Sequence, residues 1–456
     1  MVSRRLFIKG ASALAFTGLA ACCFTHTDAI ATAVTNKGLG PLISDKNELL
    51  DLPKGFSYQV ISKFGDPMND GLHVPDLADG MGCIKIGENK VALVRNHELM
   101  PKHLEKQPAS IRNLKTPFAY DTNSTGIALP GGTTTIIYDL TSRQVEDQYL
   151  SLIGTVRNCA GGTTPWGTWL SCEESVVQPN GNIKKDHGYI FEVVANNRGL
   201  TIPRPIKEMG RFNHEAACVD PSTGTVYLTE DRGDSLFYRF IPNVKNQLHQ
   251  GGQLQALAID NMPEFDSQNW TNKLMGVGQW FNAYWVNLDT PESPNDDLRI
   301  QGRSKGAKVF ARGECIHWGE GELYFTCTNG GEKQLGQIMR YQPLANKGSS
   351  YNQTGQIQLF FESDDPNQFN FGDNLTISPM GHLLVCEDQY TDIVDNHIRG
   401  VTPSGDIYNF ARLKKQTELA GACFSPDGST LFVNVYSPTM TLSIVGPWEK
   451  IQSIES

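Results

Sequence analysis

No two of the ten cysteines stand in a Cys-x-x-Cys pair. That absence argues against a zinc cage. Basic residues are in deficit, 39 Lys and Arg against 49 Asp and Glu, for a formal net charge of −10. A general nucleic-acid binder would carry a basic face, so no nucleic-acid partner is expected. Beyond the first residues, no stretch approaches the ~20 apolar residues of a membrane-spanning helix. Ser171 and Ser175 flank a motif discussed below, but neither stands in a Gly-x-Ser-x-Gly elbow, so nothing there marks a serine nucleophile.

What the chain does have begins with an address. "SRRLFIKG" (3–10) carries Arg4-Arg5, and an apolar stretch runs from Ala11 to Ala21. Residues 1–35 thus read as a twin-arginine signal peptide, which implies the Tat export machinery as partner and a periplasmic or cell-envelope destination. Export in the folded state suits a protein that acquires metal before it crosses the membrane. "LAAC" (19–22) resembles a lipoprotein processing box. Two outcomes stay open: a lipid on Cys22 that holds the protein at a membrane, or cleavage nearer "AIATA" (29–33) and a free protein.

The mature chain is turn-rich, with 44 Gly and 24 Pro. Six segments share one plan of strand, Gly-containing turn and strand. They are "GMGCIKIGENKVALVRNHE" (80–98), "CAGGTTPWGTWLSCEE" (159–174), "HEAACVDPSTGTVYLTED" (214–231), "GECIHWGEGELYFTCTN" (313–329), "DNLTISPMGHLLVCED" (373–388) and "GACFSPDGSTLFVNVY" (421–436). Such repeated hairpins, with outer strands such as "TTTIIYDL" (133–140), predict an all-β fold. The expectation is one six-bladed β-propeller domain over 40–456, with loop insertions on one face at about 99–132 and 243–308.

Each segment runs about five residues out and a similar number back, so its two ends lie side by side. In a propeller those ends gather at one mouth of the channel. This predicts a ring of Glu98, Cys159, Glu173 or Glu174, Glu215, Glu230 or Asp231, Glu314, Asp373, and Glu387 or Asp388. Strand alternation favours Glu173, Glu230 and Glu387 over their neighbours, which stay open. So many carboxylates cannot all ionise together unless cations neutralise them. Oxygen ligands suit calcium, and a thiolate among carboxylates suits a transition metal such as iron.

Packing is the ordinary role of a lone cysteine, but the place of Cys159 opposite Glu173 favours a ligand. Cys172, Cys327 and Cys386 alternate away from the acids and read as blade packing. Trp166, Trp169 and Trp318 read as packing too. His97 and His214 are consistent with satisfied core histidines. Arg95 in "RNHE" and Arg312 in "ARGE" each stand near a ring acid. Each would serve as a fork for an anionic oxygen or as a plain salt bridge.

At this point the motifs "HVPDLADGMG", "LVRNHE", "GGTTT", "NCAGGTTPWGTWLSCEE", "GRFNHEA", "YLTED", "ARGE", "GDNL" and "VCEDQ" together resemble the PhoX-type alkaline phosphatases. The resemblance spans about 55–435, in the same order. It implies Tat export, a six-bladed propeller, and a cofactor of ferric and calcium ions joined by an oxo bridge. The implied reaction is hydrolysis of small phosphate monoesters. It further implies that Cys159 ligates iron, and that Glu215, Glu314 and a glutamate of "CEE" ligate the cluster. Asp373, Asn374 and Glu387 would hold calcium, and Arg312 would grip phosphate; in the reaction so read, Arg95 would join Arg312 in balancing charge on the phosphoryl oxygens. The chain is shorter than the larger members, which leaves substrate range open. Two other readings remain. A calcium-dependent propeller lactonase or arylesterase would need no thiolate. A non-catalytic binding propeller would use Trp270, Trp280 and Trp285 as a contact surface.

Overall fold

The computed structural model describes residues 39–260, 266–344 and 355–455. The signal segment and Cys22 lie outside them. The regular secondary structure of the described chain is almost all strand, with a few short helical turns such as Pro101–Lys106 and Leu298–Ser304. Among the described residues no helix is long and apolar enough to cross a membrane.

Each repeated segment forms an antiparallel hairpin. The inner strands are Ala78–Lys85, Asn158–Thr163, His214–Val219, Gly313–Trp318, Gly372–Ile377 and Leu419–Phe424. Their partners are Lys90–His97, Thr168–Glu173, Val226–Glu230, Leu323–Cys327, Leu383–Glu387 and Thr430–Val435. Inner strands pack on one another in chain order, and the last returns to the first, closing a ring. The arrangement is propeller-like.

Strand pairing yields five sheets rather than six, of six, three, nine, four and four strands. The nine-stranded sheet joins two hairpin systems because Trp280–Asn287 pairs with Gly355–Glu362. The segment expected to be a loop insertion at 243–308 therefore supplies strands: Gly252–Ile259 completes one sheet edge and Trp280–Asn287 bridges to the next. Trp285 packs there, its indole N–H donating to the Tyr341 hydroxyl at 3.0 Å. Chain closure is shared between termini. Ser57–Lys63 pairs with Met440–Val445 as the outer strand of the last hairpin.

The second strands of five hairpins, Thr168–Glu173, Val226–Glu230, Leu323–Cys327, Leu383–Glu387 and Thr430–Val435, are buried at every position. Neighbouring sheets cover both faces, so apolar side chains pack on either side. Leu170, Ile190, Phe212, Val226, Leu228 and Tyr238 form one such interface core. Each fully buried aliphatic or aromatic side chain stabilises the fold by about 1.5–3 kcal/mol. Cys172, Cys327 and Cys386 sit in these cores, fully buried.

One irregularity repeats in every inner strand. The ladder skips between Ala78 and Met81, Asn158 and Gly161, His214 and Ala217, Gly313 and Ile316, Gly372 and Leu375, and Ala420 and Cys423. In each case two residues face one on the partner strand. A bulge re-aims the side chain it releases. The second bulged residue is small at most of these places, because the neighbouring inner strand passes close. At Gly80 a Cβ would lie 2.5 Å from the Ala160 Cα and 2.8 Å from the Cys159 carbonyl oxygen.

Candidate metal centre

The first bulged residue of each inner strand is Asp79, Cys159, Glu215, Glu314, Asp373 or Gly421. Five of the six positions thus carry a metal-ligating side chain. The residue just beyond each partner strand is Glu98, Glu174, Asp231, Thr328, Asp388 or Tyr436. The backbone fixes these exits. The N–H groups of Glu98, Glu174, Thr328 and Asp388 donate to the carbonyls of Leu77, Arg157, Arg312 and Phe371 at 2.9, 2.9, 3.0 and 2.9 Å. Those four acceptor residues share a left-handed conformation, with φ of 54°, 54°, 51° and 53°. Each costs about 1 kcal/mol or more, and the repeat of this strain marks the rim as built for a purpose.

Three overlapping ligand groups result. Cys159, Glu174 and Glu215 form one, Glu215, Glu314 and Asp373 the second, and Asp373, Asp388 and Glu418 the third. Within each, one ligand atom per residue lies within 4.8 Å of the others. Glu215 and Asp373 are shared, so the groups run as a chain across the channel. Asp79 and Glu98 stand beside it, each raising the electrostatic cost of ionising its neighbours.

Burial, then like charge, sets the protonation of this cluster. Burial pushes Glu215 well above the usual carboxylate range, with Glu314 and Glu174 adding to it. Burial does the same to Glu174, Glu314, Asp79 and Glu418. Asp373 is pushed up to about 7 by burial and by Asp388. Burial first, and Glu215 next, drive the Cys159 thiol up. Without cations these groups keep their protons. Bound cations would replace those protons and invert the balance. The donor set therefore fits metal ions.

Two guanidiniums, from equivalent left-handed positions, are set against the acid. Arg157 donates from Nε to Glu98 at 2.8 Å and pairs through Nη1 with Glu174 at 2.7 Å. Arg312 forks onto Asp231, with Nε 2.7 Å and Nη2 3.0 Å from the two carboxylate oxygens. Its Nη2 also reaches Glu314 at 3.0 Å and the Tyr390 hydroxyl at 3.2 Å. Among the described residues Nη1 has no hydrogen-bond partner, so that end is open to an anionic oxygen.

The structure departs from the expected ring at several places. Glu173, Glu230 and Glu387 are the last paired residues of their strands and point into the sheets. Glu173 accepts from the N–H groups of Val156, Gly188 and Tyr189 and from His187. Glu230 accepts from Leu236 N–H and the Tyr238 hydroxyl. Glu387 accepts from Asn370 and His397 N–H and from Arg399. Their neighbours Glu174, Asp231 and Asp388 leave the ladder and face the channel. The bulge shifts the inner strand by one residue, and alternation counted without it lands on the wrong member of each pair.

Arg95 is also off the site. It is fully buried and donates to Thr134, Ser62 and Thr441, with no carboxylate partner among the described residues. Burial lowers its pKa to about 9. Asn374 is adjacent to the cluster but its amide oxygen accepts from Gly421 N–H at 2.8 Å, tying neighbouring inner strands together. His214 is buried, donates from Nε2 to the Gly210 carbonyl at 2.9 Å, and packs on Phe212 at 3.6 Å between ring centroids. Asp79, Arg157, Glu418 and Tyr390 were not foreseen. The bulge motif would have found Asp79, since "DGM" occupies the place of "CAG" and "EAA".

The channel's other mouth is a cavity of about 410 Å³ lined by Met81, Cys218, His317, Trp318 and Phe424 among others, with no Asp, Glu, Lys or Arg. The acidic cluster lies on the opposite side of the bulges.

A sequence profile of the family described as Alkaline phosphatase PhoX matches residues 37–439. The chain belongs to that family. Phosphate monoester hydrolysis is accordingly its reaction, and the protein is a hydrolase. Among solved structures it is similar to Pseudomonas fluorescens PhoX in complex with vanadate, a transition state analogue. That likeness has a TM-score of 0.64 and 18% identity, over 90% of this chain and 98% of the other. At this identity it speaks for the fold. A second likeness is to the Myceliophteria thermophila Cps50 (Swd1) β-propeller domain, with TM-score 0.41 and 10% identity over 85% of this chain and 99% of that one. A search of curated protein sequences found no match.

Proposed function

We propose that the chain hydrolyses small phosphate monoesters on a cluster of iron and calcium ions held by the three overlapping ligand groups. The observation that carries this is the single thiol at one end of an otherwise all-carboxylate chain. Cys159, Glu174 and Glu215 suit iron, because a thiolate among carboxylates favours a transition metal. Asp373, Asp388 and Glu418 offer only oxygen and suit calcium. Glu314, between shared Glu215 and Asp373, would serve both. When bound, such ions polarise phosphoryl oxygens and make a hydroxide nucleophile accessible at moderate pH.

The chain's own part is positioning. Arg312 is held by Asp231, Glu314 and Tyr390, so its planar fork is fixed before substrate arrives. Burial opposes its charge, but Glu314 and the Asp231 hydrogen bond outweigh that and push its pKa up. Its Nη1 is the group we assign to an equatorial phosphate oxygen, where charge builds as the ester bond breaks. Arg157 neutralises Glu98 and Glu174 at the iron end.

We read the architecture as six blades, one per inner strand, with the nine-stranded sheet counted as two blades joined at Trp280–Asn287. A twin-arginine signal in 1–35 would deliver the folded protein to the periplasm or cell envelope, with membrane attachment if Cys22 is lipidated. The test is elemental analysis of exported protein alongside release of phosphate from p-nitrophenyl phosphate. Iron and calcium with phosphatase activity support the proposal. Calcium without iron would favour the lactonase reading. Full activity in Cys159→Ala would overturn the role of the thiol.

A further inference from the structure

Beside Arg312 the rim carries apolar surface that the cluster does not use. Tyr390 is 59% exposed and Ile393 is 78% exposed. Tyr390 is not loosely placed. Its hydroxyl accepts from Arg312 Nη2 at 3.2 Å, and the guanidinium carbon lies 5.2 Å from its ring centroid. Phe371 meets its ring edge-on, at 5.3 Å between centroids and 80° between planes. The hydroxyl also serves Asp388.

The loop bearing these two residues is pinned at its base. Gln389 and Asp395 exchange side-chain-to-backbone hydrogen bonds, both at 3.1 Å. Gln416 does the same for Val394, again at 3.1 Å for both bonds. Thr391 donates to the Ile393 carbonyl at 2.8 Å. One ring thus stands beside the phosphate-gripping arginine, held by that guanidinium over the ring, by Phe371 set perpendicular to it and by its hydroxyl, with more than half of the residue still open to solvent. A pre-organised, exposed aromatic face is a stacking platform for a planar group.

We propose that Tyr390, flanked by Ile393, forms the subsite for the leaving group of the ester, and that it favours planar leaving groups such as nucleosides over sugars and simple alcohols. The inference rests on the phosphatase reading above, since it places the phosphate at Arg312. An ester whose phosphate meets Arg312 Nη1 would present its alcohol part to the rim, where this ring lies within reach.

The test compares kcat/KM of the metal-loaded enzyme for adenosine monophosphate and ribose phosphate, both esterified at the same primary hydroxyl. The leaving oxygen is then alike and only the base differs. Wild type should favour the nucleotide about tenfold, the usual scale of one base stacked on one aromatic ring. Tyr390→Leu should abolish the preference, and Ile393→Ser should reduce it. Tyr390→Phe should lower both rates, through loss of the hydroxyl that steadies Arg312, while keeping the ratio. No preference in wild type, or a ratio unchanged in both Tyr390→Leu and Ile393→Ser, overturns the subsite. An enzyme inert toward both esters overturns the phosphatase reading and this subsite with it.

Discussion

His187 should make the second hairpin lose stability as the solution turns alkaline. The residue is fully buried. Its Nδ1 lies 2.6 Å from Glu173 and its Nε2 3.4 Å from Asp121. Burial disfavours the imidazolium, but Glu173 and Asp121 outweigh burial and push its pKa up to about 9. In the unfolded chain a histidine titrates at about 6.5. The protonated residue therefore contributes its full stabilisation below about pH 6.5, and that contribution is lost as pH rises through about 9. The gap between the two values is worth about 3 kcal/mol. At about 2 cal/mol/K of unfolding entropy per residue, a cooperative unit of about 400 residues shifts by about 4 °C. The assay is thermal unfolding of wild type and His187→Gln near pH 6 and near pH 10, both metal-loaded, so titration of the acid cluster is common to the two. Wild type should exceed the variant by about 4 °C at the lower pH, and the difference should vanish at the higher. An equal difference at both pH values would refute the reasoning.

Other outcomes follow from the same geometry. Glu174→Gln should strip metal and activity while leaving the metal-free fold intact, whereas Glu173→Gln should keep metal affinity and lower stability by about 2–4 kcal/mol, through lost hydrogen bonds to a buried carboxylate. Metal content and unfolding curves of the two variants separate these effects. Arg312→Lys keeps the charge but loses the fork, and kcat/KM should fall about 10²–10³-fold, as for loss of one transition-state donor. Metal binding should weaken as pH falls below about 7, because Asp373 then holds a proton that an ion must displace; calcium titrations at several pH values would show it. Gly80→Ala should push the Cys159 strand aside and reduce metal content, at a cost of about 1–3 kcal/mol.

The hairpins were legible because buried second strands such as "VYLTE" and "LLVCE" combine apolar runs with Gly-rich turns. The convergence of hairpin ends followed from strand length alone. What alternation could not deliver was phase. Each inner strand carries a bulge, and a one-residue shift exchanges Glu173, Glu230 and Glu387 for Glu174, Asp231 and Asp388. Arg95 misled for a related reason. It lies three residues before Glu98 in the chain, but strand geometry turns it into the sheet, toward Thr134 and Thr441. Arg157 gave no local signal, since its relation to Arg312 exists only through the shared left-handed turn ahead of each inner strand. Glu418 reaches the cluster from the lead-in to the last hairpin, whose own bulge position is Gly421 and carries no ligand.

The central claim is that hairpin ends converge on shared cations, with the Cys159 thiol at one end of the chain of ligands. Elemental analysis of the exported protein, purified without chelators, tests it most directly. The account predicts iron and calcium bound together in the same active sample. Phosphatase activity in protein that contains neither would contradict it.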